Sequence, residues 1–262
     1  MILAIDIGNS RTKLGVFDGA KLIKRFTIPT IRSKSADEIY DSIQPEITQQ
    51  ISSVIISSVV PELENSFRKL AERYFNSKAA FVDNKFDSGL KIRYFPPENL
   101  GTDRLIAAFA AVGKYGKPII ICDFGTATTI DVVNSKSEYL GGIITPGINT
   151  LGEALFTKTS KLPRVEIKKP ESVIGNSTVS SIQAGIFYGY IGLVEGILRR
   201  MSGELDEKSK VVATGGFAKL LAESCDLIEI VDENLMLDGL RLIHEKEKDF
   251  LPTKHTKYTK KN

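Results

Sequence analysis

The feature that most constrains the fold of this chain is an internal repeat. An apolar run that ends in Asp-x-Gly and short polar residues occurs near residue 6 and again 117 residues later. The matched pairs are Asp6 with Asp123, Gly8 with Gly125, Thr12 with Thr129 and Val16 with Val133. Two such copies predict a duplicated α/β domain with a tight loop at the equivalent place in each half.

Apolar runs and turn signals predict the same order of elements in both halves. Three closely spaced runs open each half, as in an antiparallel meander. They cover 2–7, 12–17 and 21–27 in the first half and 118–124, 127–134 and 138–142 in the second. Helical patterns follow, and the longest covers 181–201. Strands that alternate with helices predict an α/β fold with mixed sheets.

The charge distribution separates a short C-terminal tail from the rest of the chain. The net charge of the 262 residues is +3, but 250–262 contains four lysines and no acidic residue, so 1–249 sum to −1. We therefore expect domains over 1–115 and 116–249 and a basic, flexible tail over 250–262. Because the body has no basic bias, a solvated terminus explains the tail better than a nucleic-acid-binding arm.

The counts of cysteine and histidine exclude two structural classes. Two cysteines cannot form a disulfide framework and indicate a reducing compartment, so we expect the protein in the cytoplasm. Two histidines without metal-ligand spacing argue against a structural zinc site.

The longest apolar run, 105–112, is far below the roughly 18 residues of a membrane span. The N-terminus shows no signal-peptide pattern, and we expect no membrane association.

The first copy of the repeat has the residue types of a phosphate-binding loop. Residues 6–13 read Asp-Ile-Gly-Asn-Ser-Arg-Thr-Lys. A carboxylate at the end of a buried strand costs free energy unless it meets a cation or hydrogen-bond donors. The glycine lets a ligand approach the backbone, short polar groups can hold phosphate oxygens, and Arg11 or Lys13 can neutralise them. A hairpin whose Asp merely caps the turn would give the same pattern.

The second copy makes the phosphate interpretation more specific. Residues 123–129 read Asp-Phe-Gly-Thr-Ala-Thr-Thr, with three hydroxyl groups around one glycine. Two loops of this kind, one from each half, would face each other across a cleft and hold a triphosphate and its metal. The sequence contains neither Gly-x-x-x-x-Gly-Lys nor Gly-x-Gly-x-x-Gly, so a P-loop or a Rossmann dinucleotide site is unsupported.

Three further glycine-containing segments could carry chemistry. Residues 101–104, Gly-Thr-Asp-Arg, open an apolar helix, where the Asp can act as an acid–base group and the Arg as an anion clamp. Taken alone, this segment is better explained as a helix N-terminus with a favourable acidic residue. Segments 141–147 and 211–216 end strands in glycine pairs, which suit a nucleoside lying against the backbone or a tight turn.

The order of these motifs along the chain resembles that of the type III pantothenate kinases. The resemblance covers roughly residues 1–245. It implies two ribonuclease-H-like domains of the acetate/sugar-kinase, actin-like superfamily. It also implies ATP-dependent phosphorylation of pantothenate to 4′-phosphopantothenate, the first step of coenzyme A biosynthesis, by a homodimer.

The resemblance implies roles for individual residues. Asp103 resembles the proton acceptor, and Asp123 resembles the ligand of a monovalent cation, K⁺ or NH₄⁺, beside the Mg²⁺ that accompanies ATP. The implied ATP-binding residues are Asp6, Ile7, Gly8, Asn9, Ser10, Arg11, Thr12, Lys13 and Thr126. The implied pantothenate-binding residues are Tyr94, Gly101, Thr102, Asp103, Arg104 and Thr178. Thr102 stands where the family more often has Ala, and Pro96 where it often has Asn.

Two other functions fit parts of the pattern. Some relatives act as accessory regulators of transcription with weak kinase activity, and the basic tail would suit that role. Another actin-like kinase or ATPase, acting on a different small substrate, would share the fold. The intact Asp103 and the nearly neutral body favour the pantothenate kinase, so nucleic acid is not an expected partner.

A glycine stripe and one cysteine have simpler explanations than chemistry. Residues 185, 189, 192 and 196 are glycines on one face of the long predicted helix. Such a stripe permits close helix packing, either in a core, which is the simpler choice, or across a dimer. Cys122 lies in an apolar strand and is expected to be a small buried side chain rather than a nucleophile.

Overall fold

A computed structural model describes residues 1–250 of the chain, with side chains as far as Lys246. The predicted tail, 250–262, lies outside the described residues except for Phe250, which is the last residue of the final helix. The described residues form two mixed β-sheets with helices against them, which confirms the predicted α/β class.

The first sheet has five strands in the order β3-β2-β1-β4-β5. They are β1 (Ile2–Ile7), β2 (Arg11–Asp18), β3 (Lys21–Pro29), β4 (Ser53–Ser58) and β5 (Ala79–Phe81). The central strand β1 is antiparallel to β2 and parallel to β4. Because both of its faces are covered, five of its six residues are apolar, and Asp6 near its carboxyl end is the exception.

The second sheet repeats this order and adds one strand. Its order is β11-β10-β7-β8-β9-β6. The strands are β6 (Lys91–Ile92), β7 (Ile119–Phe124), β8 (Ala127–Val133), β9 (Glu138–Pro146), β10 (Lys210–Thr214) and β11 (Ile230–Val231). The central β7 is again antiparallel to the next strand and parallel to β10. The predicted duplication is therefore present in the sheets.

The two equivalent hairpins differ in length by one residue. Residues 8–10 connect β1 to β2, whereas only 125 and 126 connect β7 to β8. Ile7 pairs with Thr12, and Phe124 pairs with Thr128. The structural equivalents of Thr12 and Val16 are therefore Thr128 and Val132, because Leu3 pairs with Val16 and Ile120 with Val132. The matches of Thr12 with Thr129 and of Val16 with Val133 were wrong. A fixed shift of the sequence cannot detect this deletion inside a tight turn.

Separate helices cover the outer face of each sheet. On the first sheet these are α1 (Ala36–Ile43) and α2 (Pro61–Phe75). On the second sheet they are α4 (Ile148–Lys158), α5 (Thr178–Leu205) and α6 (Ala218–Ala222). Alternate residues of β1 and β7 point into these two outer cores, as the period of a strand requires.

Two helices lie in the core that both sheets share. They are α3 (Thr102–Tyr115) and α7 (Leu235–Phe250). One hydrophobic cluster contains Ala4 of β1, Ile106 of α3, Ile121 of β7 and Leu240 of α7. Full burial of one such Leu or Ile stabilises the fold by about 1.5–3 kcal/mol. This shared core fixes the start of α3 relative to the ends of both central strands.

The predicted domain boundary at 115/116 stays a prediction, and two elements cross it. Strand β6 precedes the boundary but pairs with β9 of the second sheet, Lys91 opposite Glu138. Helix α7 follows the boundary but contacts β1 and β4 of the first sheet. Local sequence patterns do not encode either exchange, because both depend on contacts distant in the chain.

Helix α5 meets the length and composition of a membrane span, although it packs as a core helix. An 18-residue window of this helix is apolar enough to cross a membrane, and 44% of that window is buried. Phe187, Tyr190 and Val194 are among its side chains buried in the outer core of the second sheet. Length and composition are therefore weak evidence for a membrane here.

Candidate active site

The two equivalent loops come into direct contact. The Oγ atom of Ser10 lies 2.8 Å from the Oγ1 atom of Thr126, so a hydrogen bond joins the loop of the first sheet to that of the second. Both residues are exposed and therefore accessible to a ligand. The expected arrangement of two short polar loops, one from each half, is present at this point.

Buried carboxylates stand behind the loops. The side chain of Asp6 is 13% exposed, and its Oδ2 lies 3.9 Å from the Nζ of Lys13. Burial raises the pKa of Asp6 to about 6, with Lys13 opposing the shift and the charges of Asp123 and Asp103 adding to it. Burial also raises the pKa of Asp123, again with Lys13 opposing and Asp103 adding. The three carboxylates are therefore close enough to repel one another.

This excess of negative charge suits a cation. Asp6 and Asp123 both interact with the ammonium group of Lys13, with Asp103 nearby, and carboxylate oxygens are the ligands preferred by Mg²⁺ and other hard cations. Within the described residues, no group of three or more His, Cys, Asp or Glu side chains could enclose a metal ion. A cation at Asp6 or Asp123 would therefore complete its coordination with phosphate or water oxygens.

The start of α3 brings a third polar group to the loops. The Oδ1 atom of Asp103 accepts a hydrogen bond of 2.9 Å from the backbone N–H of Arg104. A Cβ atom at Gly101 would lie only 2.6 Å from that oxygen, so a side chain there would displace the carboxylate. The helix N-terminus also presents positive potential where an anion could approach. Asp103 is half-buried and is therefore held in place with access to the cleft.

Two of the other glycine-containing segments pack around the second loop. The carbonyl oxygen of Thr126 accepts hydrogen bonds from the backbone N–H of Gly147, at 3.0 Å, and from the Oγ1 of Thr150, at 2.6 Å. Gly215 has a φ angle of +94°, and a Cβ atom there would lie 2.5 Å from the Oδ1 of Asp123. Segments 141–147 and 211–216 therefore shape the loop that carries Asp123 and Thr126.

Among the predicted ATP-binding residues of the first loop, Asp6, Gly8 and Lys13 are half-buried, and the other five fall into two groups. Asn9, Ser10 and Arg11 are exposed at the turn, where a phosphate could reach them. Ile7 and Thr12 are buried in the sheet. The carbonyl oxygen of Ile7 accepts a hydrogen bond from the backbone N–H of Val59. The Thr12 hydroxyl lies 2.9 Å from that of Thr30. Both side chains therefore lie within the sheet rather than at the exposed turn.

Among the predicted pantothenate-binding residues, Arg104 has a buried partner that the sequence analysis missed. Its side chain is 6% exposed and forms an ion pair with Asp131 of β8. Tyr139 of β9 donates a hydrogen bond of 2.6 Å to the same carboxylate. Asp131 is the one acidic residue in Thr-Ile-Asp-Val-Val, and a buried carboxylate of this kind requires a partner, so the signal was available.

The remaining three predicted pantothenate contacts differ in position. Thr102 is the half-buried first residue of α3. Tyr94 is half-buried, with the Cζ atom of Arg104 5.5 Å from its ring centroid. Thr178 is the exposed first residue of α5. Among the described residues, no hydrogen bond joins Thr178 to Tyr94, Asp103 or Arg104.

Packing was the expected role of both Cys122 and the glycine stripe, and the structure agrees with it for Cys122 alone. Cys122 is fully buried, and burial raises the pKa of its thiol, as expected for a packing residue rather than a nucleophile. Gly185, Gly189 and Gly192 are exposed, and a Cβ atom at any of them would meet open space. The core explanation of the glycine stripe was therefore wrong for these three positions, which face outward from α5.

Comparisons with known proteins show which family the chain is similar to. The family model of the type III pantothenate kinases matches residues 2–200. A type III pantothenate kinase from Geotalea daltonii is 46% identical over 256 residues, which cover 95% of this chain and 100% of that protein.

Solved structures with lower identity share the fold. A Campylobacter jejuni protein described as a Baf family transcriptional activator has a TM-score of 0.60 at 22% identity, over 94% of this chain and 99% of its own. A 2-dehydro-3-deoxygalactonokinase from Sinorhizobium meliloti also has a TM-score of 0.60, at 13% identity, over 99% and 100% of the two chains. At these identities the likeness extends to the fold alone.

The buried charge of Asp6 predicts a stability change that depends on pH. A carboxyl whose pKa is 3.8 in the unfolded chain and about 6 in the folded one destabilises the fold as pH rises from 4 to 6 and fully above 6. Asp6→Asn removes this cost. At pH 7.5 it should therefore raise the free energy of unfolding by up to about 3 kcal/mol, and the Tm with it.

Thermal unfolding at pH 7.5 and 4.5, without nucleotide or divalent metal, measures this effect. Asp18→Asn, at an exposed position on the same hairpin, is the matched control and should change little. The explanation fails if Asp6→Asn does not exceed wild type at pH 7.5, or if its advantage persists undiminished at pH 4.5.

Proposed function

Because the chain belongs to the type III pantothenate kinase family, we propose residue roles for the reaction of that family. The protein transfers a phosphoryl group from ATP to pantothenate in coenzyme A biosynthesis. The main support for these roles is the hydrogen bond between Ser10 and Thr126. It brings together two loops, each next to a buried carboxylate, at one cleft. Phosphoryl transfer depends mainly on positioning and on neutralisation of charge, and this cleft supplies groups for both.

We propose that the two loops hold the phosphates of ATP from opposite sides. The exposed Asn9, Ser10 and Arg11 of one loop and Thr126 of the other are the groups that reach the ligand. Lys13, beside Asp6, supplies positive charge behind the first loop. The predicted ATP-binding set from Asp6 to Lys13 therefore acts through its exposed members, while Ile7 and Thr12 support the turn from within the sheet.

Asp103 is proposed as the general base. It accepts the proton of the primary hydroxyl of pantothenate while the hydroxyl oxygen attacks the γ-phosphorus of ATP, and ADP leaves with the bridging electron pair. Its place at the start of α3, close enough to Asp6 and Asp123 to affect their ionisation, supports this role. Gly101, Thr102, Arg104, Tyr94 and Thr178 are proposed as pantothenate contacts.

Two kinds of cation fit the carboxylates. Mg²⁺ accompanies ATP, as in kinases generally, and shields its phosphate charge. We propose in addition that a monovalent cation, K⁺ or NH₄⁺, binds at Asp123. The raised pKa of this buried carboxyl supports the proposal, because a cation beside it would offset the repulsion from Asp103.

We further propose that the protein is a cytoplasmic homodimer. The outward-facing Gly185, Gly189 and Gly192 leave a surface on α5 that a second helix can approach closely. Two buried cysteines without a disulfide suit a reducing compartment. Neither a membrane nor a nucleic acid is part of this proposal.

The alternative functions lack support of comparable weight. The transcriptional activator named among the solved structures is only 22% identical and shows the fold alone. The 2-dehydro-3-deoxygalactonokinase from Sinorhizobium meliloti, at 13% identity, likewise shows the fold alone. The relative at 46% identity over nearly the whole chain is a pantothenate kinase.

Replacing the proposed base should abolish turnover while ATP still binds. Asp103→Asn keeps the size of the side chain but cannot accept the proton, so kcat should fall by about 10²–10⁴-fold. ATP affinity, measured by calorimetry, should stay near that of wild type. Asp226→Asn, at an exposed carboxylate in another loop, is the control. A variant that keeps more than about half the wild-type rate would exclude Asp103 as the base.

Activity should require a monovalent cation. Replacing K⁺ by tetramethylammonium at constant ionic strength should abolish turnover of the wild type, because the bulky ion cannot enter a site at Asp123. Asp123→Ala should have low activity in both salts. Equal wild-type rates in K⁺ and tetramethylammonium would remove the cation from the mechanism.

A bulky side chain in the glycine stripe should separate the dimer. Gly192→Leu should sediment as a monomer at concentrations where wild type is a dimer, because its side chain would occupy the space of the approaching helix. Gly113→Leu, at an exposed glycine of α3, tests whether a new leucine on any helix has this effect. Sedimentation of Gly192→Leu as an unchanged dimer would place the interface elsewhere.

A further inference from the structure

A buried polar trio lies directly behind the proposed pantothenate contacts. Asp131 accepts hydrogen bonds from the Nε and Nη2 of Arg104, at 3.1 and 2.5 Å, and from the hydroxyl of Tyr139, at 2.6 Å. The exposed fractions are 6% for Arg104, 2% for Asp131 and 0% for Tyr139. The trio connects α3 to β8 and β9 of the second sheet.

One edge of the Arg104 guanidinium group is left outside this trio. Its Nη1 makes none of the hydrogen bonds to Asp131, which use Nε and Nη2, and the Arg104 side chain is also hydrogen-bonded to Tyr94. This edge of the guanidinium group therefore faces away from Asp131. The ring centroid of Tyr94, another proposed pantothenate contact, lies 5.5 Å from the Cζ atom, and Asp103 precedes Arg104 in the helix.

The trio fixes both the charge and the direction of that edge. Burial alone would lower the pKa of Arg104, but the bonds with Asp131 raise it above its usual value, so the guanidinium stays charged. Burial and the adjacent Asp131 raise the pKa of Tyr139, so its hydroxyl keeps the proton that it donates. Because two nitrogens of a rigid, planar group are bound, the direction of the third is set as well.

A similar trio at the other end of α3 shows what a purely structural arrangement looks like. Asp232 accepts hydrogen bonds from Lys114, at 2.6 Å, and from the hydroxyl of Tyr115, at 2.7 Å. Lys114 also bonds to Asp238, so its ammonium group is shared between two carboxylates. No proposed ligand contact adjoins this second trio, which makes it a matched control.

We propose that Asp131 and Tyr139 are positioning residues for pantothenate binding. They hold the guanidinium of Arg104 so that Nη1 donates a hydrogen bond to an acceptor oxygen of the bound substrate. This inference rests on the proposed role of Arg104 as a pantothenate contact. It assigns to β8 and β9 a part in substrate recognition without direct contact with the substrate.

Steady-state kinetics with varied pantothenate and varied ATP test the proposal. Tyr139→Phe removes one hydroxyl and should raise the KM for pantothenate about threefold; Asp131→Asn should raise it about tenfold or more, as expected for bonds to charged groups. The kcat and the KM for ATP should change by less than about twofold, because the phosphate loops are intact. Tyr115→Phe should leave both KM values unchanged.

A double-mutant cycle then separates positioning from general destabilisation. Arg104→Met should raise the KM for pantothenate, and adding Tyr139→Phe to it should cause no further increase, because the hydroxyl acts only through the guanidinium. Additive effects would overturn the proposal. So would equal changes in the two KM values of Tyr139→Phe, or a KM for pantothenate equal to wild type in Tyr139→Phe.

The outcomes also distinguish this inference from the function on which it rests. If Asp131→Asn leaves a buried Arg unpaired and fails to fold, Tyr139→Phe and the cycle still decide the question. Wild-type turnover of pantothenate together with unaltered Arg104→Met kinetics would overturn the inference alone. Absence of any pantothenate turnover by the wild type would overturn the function itself.

Discussion

Two like charges buried at equivalent strand ends are the constraint on which the rest of this structure depends. Asp6 and Asp123 lie near the carboxyl ends of β1 and β7, the central strands of the two sheets. Burial raises the pKa of both, neighbouring carboxylates add to each shift, and Lys13 offsets only part of the cost. A ligand that brings cations to these carboxylates offsets the free-energy cost of burying them and therefore stabilises the folded protein. In the proposed mechanism, that ligand is ATP with its metal.

The helix that presents Asp103 is fixed to both sheets. Its apolar residues pack in the core shared by β1, β7 and α7. Ion pairs hold its two ends, Arg104 with Asp131 near the start and Lys114 with Asp232 near the end. The proposed base therefore stands at a defined place relative to both phosphate loops. A movement of one sheet relative to the other would shift Asp103 relative to the phosphate loops. The packing of the shared core therefore affects the proposed catalysis.

Patterns local in the chain could be predicted from the sequence, whereas contacts distant in the chain could not. The duplicated loops were predictable because an apolar strand that ends in Asp-x-Gly has few alternative explanations when it occurs twice. The one-residue difference between the hairpins was not, since it lies in a turn without apolar periodicity. Strand β6 and the ion pair of Arg104 with Asp131 depend on contacts across the predicted boundary. The outward direction of Gly189 depends on which face of α5 is buried, and both faces are rich in small or apolar residues.

A crystal structure with a non-hydrolysable ATP analogue, Mg²⁺, K⁺ and pantothenate would test the central claim most directly. The account predicts the terminal phosphate between the loop of Ser10 and that of Thr126, a metal ion next to a buried Asp, and the pantothenate hydroxyl within hydrogen-bonding distance of Asp103. A triphosphate bound away from the contact between the two loops, or a pantothenate hydroxyl that does not face Asp103, would contradict it.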